Sequence, residues 1–526
     1  MTRRSIKPLA GAAGVFVLFA STQMAGQLVD KNKAPNTAND GIARPLTGYP
    51  YPSQIGDGRW GSDANSAQNV IAFDPFRAIR RGRQLFQRKF TRVEGQGAGA
   101  GDGFGNVDVD LAIGAGLADS CASCHGRPRG AAGFGGDVVT RPDSRDAPHL
   151  FGLGLKEMLA DEMTSELRDI RATAVTLASR TGASVSRPLI GKGVRYGTIR
   201  ALPDGTVDTS GVEGVDADLR VRPFFFHGGT ISIREFIVGA LKNEMGLAMA
   251  GDPDLVAAQT GRVTTAGGMI LDGRIDTIEQ PPVDEGDIGS REQRTALVDF
   301  LEFYLLNYFK PGIGRQTSTE RLGRELLIEM GCTSCHVPNL GIQRDRRVAD
   351  LETVFDPVNG NFNRLYATAT PLLANPTSIG QAGVVKRPAF QPFLVKNIFT
   401  DFKRHDLGPN FHERNYDGTI RTEFLTTPLW GVGSTPPYGH DGRSINLMEV
   451  ILRHGGEAES SRDAFSALSS SKRDAVIAFL NSLVIFPPDD TASNLDPGDR
   501  AAAGFPQYRH GSVRLTGLFN NPGVIE

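Results

Sequence analysis

Apolar residues recur at helical spacing in several separate segments of the chain. The segment 157–181 is predicted to form an amphipathic helix, because one face carries four apolar residues: Leu159, Met163, Leu167 and Ile170. The segments 294–301 and 473–480 have the same kind of pattern, and so does the stretch that begins at Gly323. The patterning therefore favours a mostly α fold.

The first residues have the three-part order of an export signal. Basic residues near the N-terminus precede an apolar run from Leu9 to Ala20, and small residues follow. The run is too short to span a bilayer comfortably, so residues 1–26 are predicted to be a signal peptide, with an uncleaved anchor as the alternative. We therefore expect a periplasmic protein with no membrane span in its mature chain.

Length and charge narrow the range of functions. At 526 residues the chain is too long for one compact core, so two or more domains are expected. Lys and Arg total 57 against 59 Asp and Glu, a formal net charge of −2. This balance provides no positive field for nucleic acid, which is not expected as a partner. The 63 glycines and 31 prolines predict long ordered loops between the helices.

All four cysteines fall in two copies of one motif, Cys-x-x-Cys-His. This is the attachment signal of haem c, in which two thiols reach the two vinyl groups on one porphyrin edge while the adjacent imidazole binds iron. Two copies that use every cysteine of an exported chain predict two covalently bound haem groups. The copies are Cys121-Ala-Ser-Cys124-His125 and Cys332-Thr-Ser-Cys335-His336.

Three other uses of paired cysteines fit the motifs less well. A zinc site would bring its two Cys-x-x-Cys units within about 15–20 residues of each other, whereas Cys124 and Cys332 lie in different halves of the chain. Structural disulfides, although plausible in an oxidising compartment, would not require a histidine after each pair. A thioredoxin-like redox motif would lie in a βαβ pattern.

The second half of the sequence repeats the first half in the same order. Two related haem domains are the simplest explanation, each with a helix before the haem motif and another that closes the domain. We expect an N-terminal cytochrome c-like domain at 60–310, a C-terminal one at 316–487 and a tail at 488–526. The repeated segments are 82–86 and 323–327, 148–154 and 428–433, 228–237 and 442–451, and 294–301 and 473–480.

Further motifs in the second half resemble a known family. Together with the haem motifs they are similar to the di-haem oxidoreductases, often named thiol oxidoreductases, within the superfamily of bacterial di-haem cytochrome c peroxidases. The similarity extends roughly from Asp74 to Pro487 and is more specific in the second half. The motifs are Phe399-Thr-Asp-Phe-Lys-Arg-His405-Asp-Leu-Gly408, Thr427-Pro-Leu-Trp-Gly431, Pro436-Pro-Tyr-Gly-His440-Asp-Gly-Arg443 and Arg453-His-Gly-Gly-Glu457.

The resemblance implies a division of labour between the two haem groups. The N-terminal haem would be the reaction centre, and the C-terminal haem would pass electrons to it from a small donor cytochrome or cupredoxin. His125 and His336 would bind the irons, and Glu244 would be the acid that moves a proton between the oxygens of hydrogen peroxide. Without this context, Glu244 would be an ordinary exposed helix residue. The resemblance also allows a calcium ion.

Two positions depart from the family's pattern. Phe226 occupies the place of the tryptophan that the peroxidases carry between the haem groups, and the pocket of the reaction centre is expected to be more apolar. Phe424 falls where the second haem of a peroxidase takes a methionine ligand. His405, His440 and Tyr438 remain as candidates for that ligand, although both histidines lie in motifs shared with relatives that use methionine.

Three functions remain open from the sequence. The first is a peroxidase-like di-haem oxidoreductase. The second is a non-enzymatic electron carrier in which both irons are six-coordinate, and the third is an oxygenase or oxidase that uses the apolar pocket. His149 and Met158 are weaker candidates to cap the first iron, and a surface or hydrogen-bonding role is expected for both.

Overall fold

The computed structural model describes most of both predicted haem domains. The predicted signal peptide at 1–26 and the tail at 488–526 lie outside the described residues. None of the described helices has both the length and the apolar character needed to cross a membrane. The described residues are 75–91, 118–126, 145–247, 252–279, 295–307, 312–313, 316–344, 392–415 and 418–484, with 67, 71, 96–97, 137–138 and 346.

Helices provide the framework of the described part, as the apolar periodicity predicted. Short turns of 3-10 helix lie at Cys332–Ser334, Val432–Ser434 and Gly456–Ala458. The α-helices are α1 Pro75–Gln87, α2 Cys121–His125, α3 Leu153–Thr181, α4 Ile233–Met245, α5 Pro253–Ala258, α6 Thr295–Asn307, α7 Ser318–Glu329, α8 Leu447–Arg453, α9 Glu459–Ala467 and α10 Ser470–Ser482.

The strands are short and pair antiparallel. Strands β3, β4 and β5 form a three-stranded sheet, and the others pair in twos. The strands are β1 Asp137–Val138, β2 Arg145–Asp146, β3 Val185–Gly191, β4 Val194–Ala201, β5 Val207–Asp208, β6 Arg262–Thr264, β7 Ile270–Asp272, β8 Gly312–Ile313, β9 Leu340–Ile342, β10 Phe393–Val395, β11 Arg404–Asp406, β12 Glu413–Arg414, β13 Ile420–Arg421, β14 Glu423–Leu425 and β15 Leu483–Val484.

In the N-terminal half, helix α1 crosses helix α6 at a glycine. A Cβ atom added to Gly82 would lie 2.1 Å from the carbonyl oxygen of Phe300 and 2.4 Å from the Cβ of Tyr304. Only glycine therefore allows the two backbones to approach so closely. Buried apolar side chains such as Phe86 and Leu301 belong to the same core. The helix before the first haem motif thus packs closely against the helix that closes this half.

The C-terminal half repeats this crossing with helices α7 and α10. A Cβ atom added to Gly323 would lie 2.0 Å from the carbonyl oxygen of Ala475 and 2.9 Å from the Cβ of Phe479. Gly323 is the counterpart of Gly82 in the repeated sequence segments. The recurrence of the same contact at the same glycine supports the prediction of an internal duplication.

The structure corrects the sequence pairing of the two closing helices by one helical turn. The repeated segments placed Arg294 on Arg473. Helices α6 and α10 both have 13 residues, and their glycine contacts correspond when Thr295 is placed on Ser470 instead. Because an α-helix nearly repeats its face after four residues, the apolar pattern alone is compatible with both alignments.

A turn and the helix that follows it also recur in both halves. Gly228 and Gly442 have φ angles of +70° and +62°. Four residues later, the side chains of Ser232 and Asn446 cap helices α4 and α8, each by accepting a hydrogen bond from the amide three residues further on. This N-terminal cap replaces a bond that the first helical turn lacks. The third pair of repeated segments therefore has the same local structure.

Helix α3 and the sheet β3–β4–β5 form an insertion that the sequence predicted only in part. Leu159, Met163 and Leu167 are buried on one face of the helix, with Ile170 packed beside them, as predicted, whereas the sheet was not predicted. The core of this insertion contains side chains from the second half, so it joins the halves: Leu340, Ile342, Val395, Ile398, Phe402 and Trp430.

Backbone hydrogen bonds cross between the halves at two equivalent turns. The amide of Leu425 donates to the carbonyl of Phe226 at 2.8 Å, and the amide of Asp146 donates to the carbonyl of His440 at 3.2 Å. Phe226 and His440 each lie two residues before the glycine of the repeated turn, and their ring centroids are 6.0 Å apart. This reciprocal exchange is typical of an approximately two-fold interface.

Candidate haem sites

The first Cys-x-x-Cys-His motif forms the short helix α2. The side chain of Ser120 caps it by accepting a hydrogen bond from the backbone amide of Ser123 at 3.1 Å. The Nδ1 atom of His125 lies 2.7 Å from the carbonyl oxygen of Pro148, to which it can only donate. The proton is therefore on Nδ1, and Nε2 has a lone pair for a metal, which is the usual arrangement of a metal-binding histidine.

The second motif has the same arrangement with a different partner. After the 3-10 turn at Cys332–Ser334, the Nδ1 atom of His336 lies 3.1 Å from the carbonyl oxygen of Phe399. Its Nε2 is thereby also left for a metal. The sequence repeat would have suggested Pro428, the counterpart of Pro148, as the source of this carbonyl. The second half therefore orients its histidine from a different loop.

The cysteines are suited to attachment rather than to thiol redox chemistry. All four are free thiols. Burial raises the pKa of Cys121 to about 12 and that of Cys332 to about 11. A thioredoxin-like pair needs a lowered thiol pKa, so a redox-active dithiol is disfavoured.

A cavity of about 700 Å³ lies beside the first motif. A pocket of this size with a mainly apolar wall suits a large cofactor. The residues therefore fit a haem group joined to Cys121 and Cys124, with His125 on its iron. The apolar and aromatic part of the wall includes Phe86, Phe151, Phe224, Phe236, Leu301 and Trp430.

Glu244 lies near the end of helix α4, half-buried in the wall of this cavity. Burial raises the pKa of the Cys124 thiol, and the negative charge of Glu244 adds to that effect. The backbone carbonyl of Glu244 accepts a hydrogen bond from the amide of Ala118 at 3.0 Å, which ties the helix end to the segment before the haem motif. The predicted acid and the predicted iron ligand His125 thus share one cavity, while the catalytic role stays a prediction.

Lys156 is a cavity residue that the sequence analysis missed. It lies in the first turns of helix α3, with its Nζ atom 5.7 Å from the centroid of the Phe224 ring, and burial lowers its pKa to about 8. The available signal was a lysine that directly follows the apolar run 150–155, at the start of a predicted helix. A buried amine here can attract an anionic group in the cavity.

His149 and Met158 each accept a hydrogen bond, the role that the sequence favoured, and Met158 is buried rather than at the surface. The Nδ1 atom of His149 accepts a hydrogen bond from the amide of Phe151 at 3.4 Å. Burial and the charge of Lys156 lower the pKa of His149 to about 3, so its imidazole is neutral. Met158 is buried in the core of the insertion, where its sulfur accepts a hydrogen bond from the amide of Arg346.

His405 has a carboxylate partner on each ring nitrogen. Nε2 lies 2.9 Å from Asp401 Oδ2, and Nδ1 lies 2.7 Å from Glu457 Oε2. Although burial lowers the pKa of His405, hydrogen bonds to Asp401 and Cys335 raise it to about 11. A doubly protonated imidazole has no lone pair for iron, so the geometry disfavours His405 as a ligand of the second haem.

Cys335, Asp401 and His405 also form the one close group of metal-type donors among the described residues. Cys335 belongs to the haem motif, and the imidazole of His405 is already held by carboxylates, so this group does not suit a separate metal ion. Calcium prefers six to eight oxygen ligands. The expected calcium ion therefore stays a prediction.

His440 and Tyr438 are the other candidates for the sixth ligand of the second haem. The ring of His440 is stacked on that of Phe424, with centroids 4.0 Å apart, and its Nε2 lies 3.3 Å from Glu413 Oε2. Tyr438 donates its hydroxyl to the carbonyl of Val432 at 2.9 Å, and burial raises its pKa to about 12, so the phenol stays protonated. Ligation by His440 stays a prediction.

Two solved structures show a distant likeness to the chain. A MauG-like protein associated with microbial copper homeostasis is 13% identical over 78% of this chain and 90% of that chain, with a TM-score of 0.31. Hydrazine synthase from Kuenenia stuttgartiensis, determined under 20 bar of xenon, is 15% identical over 37% of this chain, with a TM-score of 0.22, and this chain covers 58% of it. Neither likeness is close enough to carry an argument. No curated protein matches the chain.

A family model matches the second half directly. Residues 361–483 match the family described as "Di-haem oxidoreductase, putative peroxidase". All four motifs on which the sequence resemblance rested lie within this segment. The two haem motifs, with their oriented histidines, fit the cofactors that this description implies. Residues 361–483 therefore match the di-haem oxidoreductase family, as the motifs in that segment predicted.

Proposed function

We propose that the chain is a periplasmic di-haem c-type cytochrome that acts as a peroxidase-like oxidoreductase. Electrons from a small donor cytochrome or cupredoxin enter at the haem held by Cys332 and Cys335. They pass to the haem held by Cys121 and Cys124, where hydrogen peroxide is reduced beside Glu244. The basic and apolar segments of residues 1–26 support export to the periplasm.

One observation carries this proposal. Glu244, His125 and both thiols of the first motif line a single cavity of about 700 Å³. A carboxylate that shares a cavity with an iron-binding imidazole is in a position to move protons for a ligand of the iron. Trp430 and Leu425, from the second half, also line this cavity, which supports the passage of electrons from that half to this site.

The chain's own residues would orient the cofactor and move protons. When bound, the haem supplies the redox-active iron at which a small oxidant is reduced. The carbonyl of Pro148 fixes the orientation of His125. Glu244 takes a proton from one oxygen of hydrogen peroxide and returns it to the other oxygen, which departs as the O–O bond breaks. In total, two electrons and two protons convert one peroxide molecule to two water molecules.

The aromatic wall of the cavity favours a second candidate function. Phe224, Phe225, Phe226 and Phe236 all line it, and such a wall suits an apolar organic molecule better than it stabilises developing charge. An oxygenase or oxidase that uses dioxygen would therefore be compatible with the same site.

The first experiment is an absorption and electron paramagnetic resonance study of the haem-loaded protein, with and without peroxide. High-spin iron that responds to peroxide is expected from an enzyme with one open haem. Low-spin signals from both haem groups, unchanged by peroxide, would favour the electron-carrier function instead.

The Glu244→Gln variant tests the catalytic carboxylate. We expect it to keep two haem groups and lose about 10²- to 10⁴-fold in peroxide turnover, the usual contribution of a general acid or base. Glu279→Gln is the matched control, because Glu279 is a second carboxylate that lines the cavity and lies at its exposed side. Unchanged turnover in Glu244→Gln would remove this residue from the mechanism.

A further inference from the structure

The wall of the first haem cavity contains a cation that has no carboxylate partner among the described residues. Of the described side chains that line this cavity, Lys156 and Arg222 are the lysine and arginine. Arg222 is neutralised, because it donates to Asp216 at 2.8 Å and to Asp218 at 2.7 Å. The amine of Lys156 makes no ion pair or hydrogen bond with another described residue, and its Nζ lies 5.7 Å from the centroid of the Phe224 ring.

The position of Lys156 on helix α3 explains why no acid of this helix neutralises it. Side chains three and four residues apart are neighbours on a helix, and in both directions these positions hold leucine, alanine or glycine. The adjacent acid, Glu157, is engaged elsewhere. Its carboxylate accepts the amide proton of Ile233 at 2.7 Å and pairs with Arg346 at 3.2 Å.

The surroundings of Lys156 favour the binding of an anion. Burial lowers the pKa of Lys156 to about 8, since the charged amine is poorly solvated there. A cation removed from water is stabilised best by an anion that also accepts its hydrogen bonds. The face of the Phe224 ring attracts the charge but accepts none of the three N–H donors of the ammonium group. These donors are available to oxygen atoms in the cavity.

A haem group attached at the first motif would bring two carboxylates into this cavity. Its propionates lie on the porphyrin edge opposite the vinyl groups, and therefore away from the two thiols. Burial raises the pKa of the Cys124 thiol, and the charge of Glu244 adds to this effect. Burial lowers the pKa of His149, and there the charge of Lys156 adds to the effect. The acid thus acts on the thiol end of the cavity, while the amine acts on another part of its wall.

We propose that Lys156 binds a propionate carboxylate of the first haem group and raises the reduction potential of that haem. The ammonium group donates a charge-assisted hydrogen bond to a propionate oxygen. A positive charge close to a haem stabilises its reduced form, which carries one more electron. The proposal rests on haem attachment at the first motif, which is part of the proposed function, and does not depend on which oxidant is reduced.

The sequence repeat has an uncharged residue at the corresponding position. The repeated segments place Gly152-Leu-Gly154 on Gly431-Val-Gly433, and two residues further on Thr435 corresponds to Lys156. The hydroxyl of Thr435 donates to the carbonyl of Gly431 at 3.3 Å. A lysine at only one of the two related positions would raise the potential of the first haem relative to the second. This difference favours the proposed direction of electron flow.

The test compares Lys156→Met with Lys156→Arg in the full haem-loaded chain. Methionine keeps an apolar chain beside Phe224 and loses the charge, whereas arginine keeps the charge. Potentiometric titration followed by absorbance gives the two reduction potentials. Resonance Raman difference spectra report the propionate bending modes, which respond to hydrogen bonding. We expect Lys156→Met to lower one potential, to leave the other unchanged and to shift a propionate band, and Lys156→Arg to restore most of both properties.

A matched control separates this local effect from the loss of one positive charge. Lys472→Met makes the same substitution at an exposed residue of helix α10 and should change neither potential and no propionate band. Unchanged potentials and propionate bands in Lys156→Met, with both haem groups present, would overturn the proposal.

The carboxylate of a free organic acid is the alternative partner of Lys156, and benzoate is the probe for it. If Lys156→Met matched the wild type without benzoate, and benzoate changed the haem absorbance of the wild type alone, the proposal would be overturned in favour of a ligand site. None of these readouts contains peroxide. A wild-type protein that is inactive towards peroxide but shows the expected shifts would therefore refute only the proposed peroxidase function.

Discussion

At the scale of single residues, the histidines of this protein differ in the hydrogen-bond partners of their ring nitrogens. His125 and His336 each use Nδ1 for a backbone carbonyl and keep Nε2 for a metal. His405 has a carboxylate on both nitrogens, which makes it a cation. His149 accepts a hydrogen bond at Nδ1 from the amide of Phe151, and burial and the charge of Lys156 lower its pKa to about 3, so its ring is neutral. Identical side chains are thus predicted iron ligands at two positions, an ion-pair partner at a third and a neutral imidazole at a fourth.

The neutral state of His149 predicts how stability depends on pH. Burial and the charge of Lys156 lower its pKa from 6.5 to about 3, so between these values the unfolded chain binds a proton that the folded chain does not. The contribution is therefore fully present above pH 6.5 and is lost as the pH falls towards 3. Each pH unit in this window costs about 1.4 kcal/mol.

Denaturant unfolding at pH 6.5 and pH 4.5 measures this effect. His149→Gln and His149→Phe should both lose less free energy of unfolding than the wild type between the two pH values, because neither side chain titrates. Equal losses in all three proteins would show that His149 is not held neutral.

At the scale of elements, each half depends on one close crossing of two helices. Gly82 and Gly323 bring helix backbones to distances that a Cβ atom would not permit. Gly239, within helix α4, provides a contrast, because its nearest neighbour would lie an ordinary 3.6 Å from an added Cβ. Close packing of the backbones thus requires glycine at positions 82 and 323. At position 239 the glycine only lowers the stability of the helix.

Alanine substitutions test this distinction. Gly82→Ala and Gly323→Ala should each lower the free energy of unfolding by about 1–3 kcal/mol, because the clash is with backbone atoms that cannot move aside. Gly239→Ala should raise it by up to about 1 kcal/mol through helix propensity. Urea unfolding followed by circular dichroism provides the measurement. Midpoints for Gly82→Ala and Gly323→Ala equal to that of the wild type would contradict the crossing geometry.

At the scale of the whole molecule, the two halves share a core. The insertion of helix α3 and its sheet covers apolar side chains of the second half, among them Ile342, Ile398 and Trp430. The hydroxyl of Tyr196, on strand β4, donates to the carbonyl of Asp401 at 2.7 Å within this region. Helix α3 also begins in the wall of the first haem cavity, so one element links the reaction site to the interface.

The shared core predicts that the second half is not an independent folding unit. A fragment of residues 316–487, loaded with its haem, would expose the apolar surface that the insertion covers, and such patches promote association. We expect it to bind a hydrophobic dye and to unfold without a cooperative transition, whereas the full chain should unfold cooperatively. A dye-free fragment with a sharp thermal transition would show that the C-terminal half is autonomous.

The sequence by itself determined the features that depend on residues close together in the chain. The spacing of Cys121, Cys124 and His125 predicts haem attachment, because two thiols must reach the vinyl groups on one porphyrin edge while the adjacent imidazole reaches the iron. The apolar period predicted helix α3, and short motifs predicted the family that residues 361–483 match. The same short range explains the one-turn error in pairing the closing helices, since a helical pattern nearly repeats after four residues.

Tertiary structure decided everything that depends on which distant groups meet. Only the fold shows that Phe399 orients His336, that carboxylates occupy both nitrogens of His405, and that Lys156 lies in the first haem cavity. Hydrogen bonding and burial depend on three-dimensional proximity between segments hundreds of residues apart, and no local pattern in the chain encodes that proximity.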